Sequence, residues 1–149
     1  MKKIIFSLLA IALAACTAQQ GSEFTRNRDK WQAAGIQNYR FNLMMVCFCA
    51  FSDQMPLTVE VRDGAVVSMT ASQGSEVVPT DPYFDLFSQY STIDKLFADL
   101  EINLNGGADE VIVTYDPTHG YPTQISYDFI KEAVDDELSL TISGFEVLE

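Results

Sequence analysis

Tyr39-Arg40-Phe41-Asn42-Leu43-Met44-Met45-Val46-Cys47-Phe48-Cys49 is the stretch on which the fold turns. At a period of two its odd positions are Tyr39, Phe41, Leu43, Met45, Cys47 and Cys49, while Arg40 and Asn42 begin the other face. A strand with one face in a core reads this way. From Met44 onward both faces are apolar, so the pattern predicts a central strand, covered on one side and shielded on the other. The end of this strand carries two of the three cysteines.

The third cysteine closes a different pattern. Met1-Lys2-Lys3 is a basic start, Ile4 to Ala12 is an apolar run too short to span a bilayer, and Leu13-Ala14-Ala15-Cys16 follows. This resembles a bacterial lipobox, which implies a signal peptide over 1–15, cleavage before Cys16, a diacylglycerol thioether on its sulfur and an acyl chain such as palmitate on its new amine. Two or more such chains hold a protein at a membrane without a transmembrane helix. Thr17 rather than aspartate follows the cysteine. In the sorting pattern that this resembles, that points to the outer membrane, with the domain facing the periplasm.

Removing residues 1–15 leaves 134 of the 149 residues, enough for one domain with its own core. It also leaves 7 basic against 21 acidic residues, a formal charge of −14. Such a surface repels nucleic acid and anionic headgroups, so lipid on Cys16 is the expected membrane contact. Residues 16–22 read as a lipidated polar tether, and 23–149 as a single α+β domain.

Phe24 to Ala34 reads as a helix stopped by Gly35, with Ile36 placed for the contact that accompanies a glycine C-cap, and with Trp31 as its anchor on the core. Beyond the first strand, Leu57 to Val61 alternates with Thr58 and Glu60. A hairpin follows at Arg62-Asp63-Gly64. A two-residue turn would set Val61 against Val66 and Val59 against Ser68, mixing the faces. A three-residue loop with Gly64 left-handed sets Leu57, Val59 and Val61 opposite Met69, Val67 and Ala65, and is the expected form.

Ala71 to Tyr90 is the longest irregular segment, and its Tyr83, Phe84, Phe87 and Tyr90 are expected to tuck it onto the body. Ser91-Thr92-Ile93-Asp94 resembles a capping box, followed by Ile93, Leu96, Phe97, Leu100 and Leu104 on one helical stripe. Asn105-Gly106-Gly107 ends that helix. Strands are predicted over Glu110 to Tyr115, Tyr121 to Phe129, and Leu138 to about Leu148. The turn Asp116-Pro117-Thr118-His119-Gly120 separates the first two. The fold class is α+β, with two helices on one face of a mostly antiparallel sheet of about six strands. Helix and three strands occur twice in order, which suggests a duplication of element order alone.

Few residues are candidates for chemistry. Cys47 and Cys49 would be two thiols in an oxidising compartment, open to three readings: a bridge, a pair of buried thiols, or a metal site. In a straight strand their Cα atoms would lie ~6.6–6.8 Å apart, at the upper edge of the ~4.4–6.8 Å that a disulfide spans. A bridge therefore requires the strand to bulge or end at Phe48. A tight ring of that kind would be open to thiol exchange. His119 shares its turn with Asp116, and with Tyr121 these form a possible surface-binding set, although no serine, cysteine or second acid stands at a triad spacing. Asp135-Asp136-Glu137 lacks the spaced oxygens and glycine of a calcium loop and reads as a solvated turn. No cofactor motif is present.

Trp31, Asn38-Tyr39-Arg40-Phe41, Cys47-Phe48-Cys49, Val59-Glu60-Val61-Arg62-Asp63-Gly64, Ile93-Asp94-Lys95-Leu96-Phe97, Tyr115-Asp116-Pro117, Gly120-Tyr121-Pro122 and Asp135-Asp136-Glu137 occur in that order. Together they resemble a bacterial lipoprotein family known as domain of unknown function 6174. The resemblance implies a secreted, lipidated domain and no particular activity. The expected function is accordingly a lipid-anchored periplasmic module that binds a protein or envelope component, without catalysis. The alternative is a thiol-disulfide redox protein using Cys47 and Cys49.

Overall fold

A computed structural model describes residues 20–149. The expected signal peptide (1–15), Cys16 and residues 17–19 of the expected tether lie outside the described residues. Helix α1 covers residues 20–34 and so takes in Gln20, Gly21 and Ser22, which the composition assigns to the tether. Six strands follow in one antiparallel sheet: β1 (Tyr39–Val46), β2 (Leu57–Arg62), β3 (Ala65–Thr70), β4 (Glu110–Tyr115), β5 (Pro122–Asp128) and β6 (Leu138–Val147). Between β3 and β4 stand α2 (Phe84–Gln89) and α3 (Ile93–Ile102), the latter ending in a wider turn at Asn103–Gly107. The strand order β3-β2-β1-β6-β5-β4 joins two three-stranded meanders at a β1–β6 seam. Element order repeats as the sequence suggests, but the seam joins the first strand of one half to the last of the other.

Tyr39, Phe41, Leu43 and Met45 are buried, as the period of two requires, with Leu57, Val59, Val61, Ile125, Tyr127, Leu140 and Ile142 beside them on the same face. Trp31, Leu96, Phe97 and Leu100 cover that face from α1 and α3. The second face of β1 departs from expectation: Val46 is 59% exposed and Arg40 is open to solvent. All described helices lie on the core side. On that second face the apolar Met44 and Val46 therefore reflect strand propensity on an open face rather than a second covering layer.

The β2–β3 hairpin also corrects the expected register. Arg62 pairs with Ala65 and Val61 with Val66, so the turn is the two-residue Asp63-Gly64, both left-handed at φ +49° and +73°. The conflict of faces disappears because the ladder slips by one residue between Glu60 and Val61, leaving Val67 as the bulged residue and Val59 opposite Met69. A bulge resets alternation locally, which a count along the chain cannot anticipate.

Helix α3 starts one residue later than a capping box at Ser91 would place it. Thr92 is the cap, its Oγ1 accepting from the Lys95 N–H at 3.1 Å. Asp94 instead accepts from Trp31 Nε1 at 3.1 Å. The Ile93 N–H donates to Tyr39 Oη at 3.1 Å, and burial pushes that phenol up to about 12. The irregular segment gains its own short helix because Phe87 and Tyr90 are buried, with Phe87 edge-on to Phe51 at 5.1 Å.

One polar network inside this packing yields a measurable pH effect. Tyr127 Oη donates to Asp99 Oδ2 at 2.6 Å, and Asn103 Nδ2 reaches the same oxygen at 3.3 Å. Burial holds the Asp99 carboxyl above the ordinary carboxylate range, and these two hydrogen bonds draw it partly back. A carboxyl raised in the folded state costs more to ionise there than in the unfolded chain, so its contribution to stability falls as pH climbs through the carboxylate range. Tyr127→Phe removes a bond to the charged form and raises the carboxyl further. The expected loss is about 1–3 kcal/mol at about pH 7 and clearly less at about pH 4, read from urea unfolding. A deficit unchanged with pH would place the loss elsewhere than at Asp99.

Candidate functional site: the Cys47–Cys49 turn and the two ends of the sheet

β1 ends at Val46, and the chain bends sharply through Phe48. The Cys49 N–H donates to the Cys47 carbonyl at 2.9 Å, an i to i+2 bond that closes a three-residue turn. This draws the two Cα atoms to 5.2 Å, inside the disulfide range, and Cys47 and Cys49 are bridged. The condition for a bridge, that the strand end or bulge at Phe48, is met by its ending. The bridge uses both sulfurs, so neither is free to ligate a metal. Phe48 stands at the tip of the ring, 86% exposed. Alkylation without reduction should leave Cys47 and Cys49 unlabelled, and both should be labelled after reduction, as located by peptide mass. Labelling before reduction would contradict the bridge.

The other candidate set lies at the opposite end of the sheet. The β4–β5 turn is held by the Asp116 N–H to the Tyr121 carbonyl (2.8 Å) and the Gly120 N–H to the Asp116 carbonyl (3.0 Å). Asp116 Oδ1 also accepts from the backbone N–H groups of Thr118 (3.0 Å) and His119 (2.6 Å). The same oxygen lies 3.4 Å from His119 Nδ1. Asp116 is thus occupied chiefly in building the turn. Tyr121 is buried rather than at the surface, stacked on Phe145 at 4.4 Å between ring centroids, and burial raises its phenol. The signal for this was absent from the 116–121 stretch, because Phe145 reaches Tyr121 only through the irregular pairing of β6 with β1 between Arg40 and Asn42. Eight residues of β1 at ~3.3 Å each separate the two ends, roughly 25 Å, so the cysteine turn and His119 do not form one site.

The acidic stretch Asp135-Asp136-Glu137 lies at the cysteine end, before β6. Asp136 Oδ2 accepts from the Ile130 N–H at 2.7 Å, which makes it a loop-closing group. Loss of hydration, and then the charges of Asp136, Glu137, Glu110 and Asp109, raise the carboxyl of Asp128. Among the described residues no three His, Cys, Asp or Glu side chains are arranged to hold a metal. No helix of the described residues is long and apolar enough to cross a membrane.

The open face of the sheet is a further feature, which the expectation of a shielded second face on β1 did not foresee. Across it run polar cross-strand pairs: Arg40–Glu146 at 2.7 Å, Thr58–Asn42 at 3.0 Å and Ser126–Ser139 at 3.3 Å. Thr141, beside Met44 on the seam, is exposed. A family model described as a family of unknown function, DUF6174, matches residues 23–147. No curated protein matches the chain, and no solved structure does.

Proposed function

The chain belongs to the DUF6174 family, and we propose that it is a lipid-anchored periplasmic module that binds a protein or another envelope component through the open face of its sheet. The observation that carries this is the one-sided cover: six paired strands have helices on one face only, and the other presents fixed polar pairs with Met44 and Val46 between them. Such a face offers a wide, rigid, pre-ordered surface, which lowers the entropic cost of docking a macromolecule. Lipid on Cys16 would place it at the outer membrane. The acidic surface disfavours nucleic acid as the partner.

A photo-crosslinking residue at Thr141 in intact cells is expected to capture a reproducible partner, and one at Arg26 on the outer side of α1 is not. Absence of any reproducible adduct from Thr141, or the same adducts from Arg26, would sink this reading.

The Cys47–Cys49 bridge supports a second reading, thiol-disulfide exchange. A small ring closed across two residues, both only partly buried, can be attacked by an incoming thiolate. On that reading Cys47→Ser abolishes exchange with a small dithiol, and inertness of the wild-type protein under the same conditions dismisses it.

A further inference from the structure

The end of the sheet that carries the cysteine turn gathers exposed apolar side chains. β1 runs toward it and ends at Val46, paired with Ser139 at the start of β6. β5 also ends there, and the 129–137 loop returns to β6. Ile130 (57% exposed) and Val134 (82%) sit on that loop, and α3 brings Ile102 down to the connection that begins β4. With Val46 and Phe48, five of the nine large apolar side chains exposed among the described residues lie at this end. Phe48 differs from the others in kind. It is an aromatic ring carried outward at the tip of a bridged three-residue turn.

The chain outside the structure also ends here. Gln20 Nε2 donates to the Val111 carbonyl at 3.0 Å, and Val111 pairs with Tyr127 near the same end of β4 and β5. Helix α1 therefore begins at the cysteine end and runs away from it toward the His119 turn, where Lys30 meets the Pro117 carbonyl. Cys16 precedes Gln20 by four residues, a reach of at most ~14 Å at ~3.5 Å per residue.

We infer that this end of the domain is a membrane-contacting surface, with Phe48 seated in the interfacial region of the bilayer that holds the lipid on Cys16. The inference rests on the lipid-anchor reading and adds an orientation to it: strands upright on the membrane, cysteine turn down, His119 turn outward. Exposed apolar groups at the attachment point are in place to meet the interface. The carboxylates Asp109, Asp128, Asp136 and Glu137 at the same end specify the kind of surface, zwitterionic rather than anionic. The open sheet face then stands along the membrane normal, free for a partner.

The test uses the full lipidated chain in phosphatidylcholine vesicles, some made with lipid brominated on its acyl chains. Trp31 is buried near the far end and supplies a constant background emission. Phe48→Trp is expected to lose most of its added emission in the brominated vesicles, while Thr118→Trp in the outward turn keeps its own. Undiminished emission from Phe48→Trp, or equal loss from both variants, overturns the inference. Intact mass of the same samples reads the acyl chains on Cys16 separately. Their absence overturns the anchor reading and the orientation with it, a failure that the mass alone tells apart from one of contact.

Discussion

Trp31→Ala is expected to lower stability by about 3–5 kcal/mol, the range for deleting a large buried aromatic side chain. Trp31 is 3% exposed, and its ring stands edge-on to Tyr39 at 5.5 Å, Phe145 at 5.9 Å and Tyr121 at 6.3 Å. These partners come from β1, β6 and the β4–β5 turn, so the indole joins α1 to both halves of the sheet at the seam. The hydrogen bond from Nε1 to Asp94 adds little, because Asp94 is exposed and water can replace it. Packing therefore dominates, and Trp31→Phe, which keeps an aromatic ring, is expected to cost less than half as much. Urea unfolding followed by far-ultraviolet circular dichroism reads both variants without the lost fluorophore. Equal losses in the two would assign the effect to the hydrogen bond instead.

The second large effect is at Gly120. Its φ is +83°, and a Cβ there would lie 2.5 Å from the Asn27 carbonyl oxygen and 3.1 Å from Lys30 Cβ. Two costs combine in Gly120→Ala: about 1–2 kcal/mol for a left-handed alanine, and about 1–3 kcal/mol for forcing the turn away from α1. Gly74 provides the control, since it has nearly the same φ of +84° with nothing within 4 Å of the added carbon. Gly74→Ala should show the backbone cost alone, and the difference between the two variants measures the close approach of the β4–β5 turn to the helix. Equal thermal shifts would mean that the turn moves away at no cost. The contact would then not position His119.

Much of this architecture is legible along the chain because it rests on local periodicity. The stripe Ile93, Leu96, Phe97 and Leu100 is buried as its spacing requires. The alternation in β4, β5 and β6 places Val111, Ile125, Tyr127, Leu138 and Leu140 inside. The glycine stops at Gly35 and Gly120 fall where the chain must turn left-handed. What escaped the reading was non-local or arose from a one-residue slip. The Asp63-Gly64 turn looked excluded until the bulge at Val67 absorbed the mismatch. Tyr121 looked like a surface residue because Phe145, its covering ring, lies more than twenty positions away and arrives through an irregular pairing.

The same division holds for the candidate sites. Residue types alone singled out Cys47 and Cys49 and stated the condition for their bridge, because the spacing of two residues in an extended strand is a matter of covalent geometry. That the strand does end at Val46, that Phe48 is thereby left uncovered by the rest of the domain, and that His119 stands at the far end of the sheet are consequences of pairing between β1 and β6, which are about a hundred residues apart. Local sequence determines helix and strand through short-range sterics and the burial of one face. Which strands meet, and so which residues share an end of the sheet and which face stays open, was decided only when distant apolar faces closed over one core.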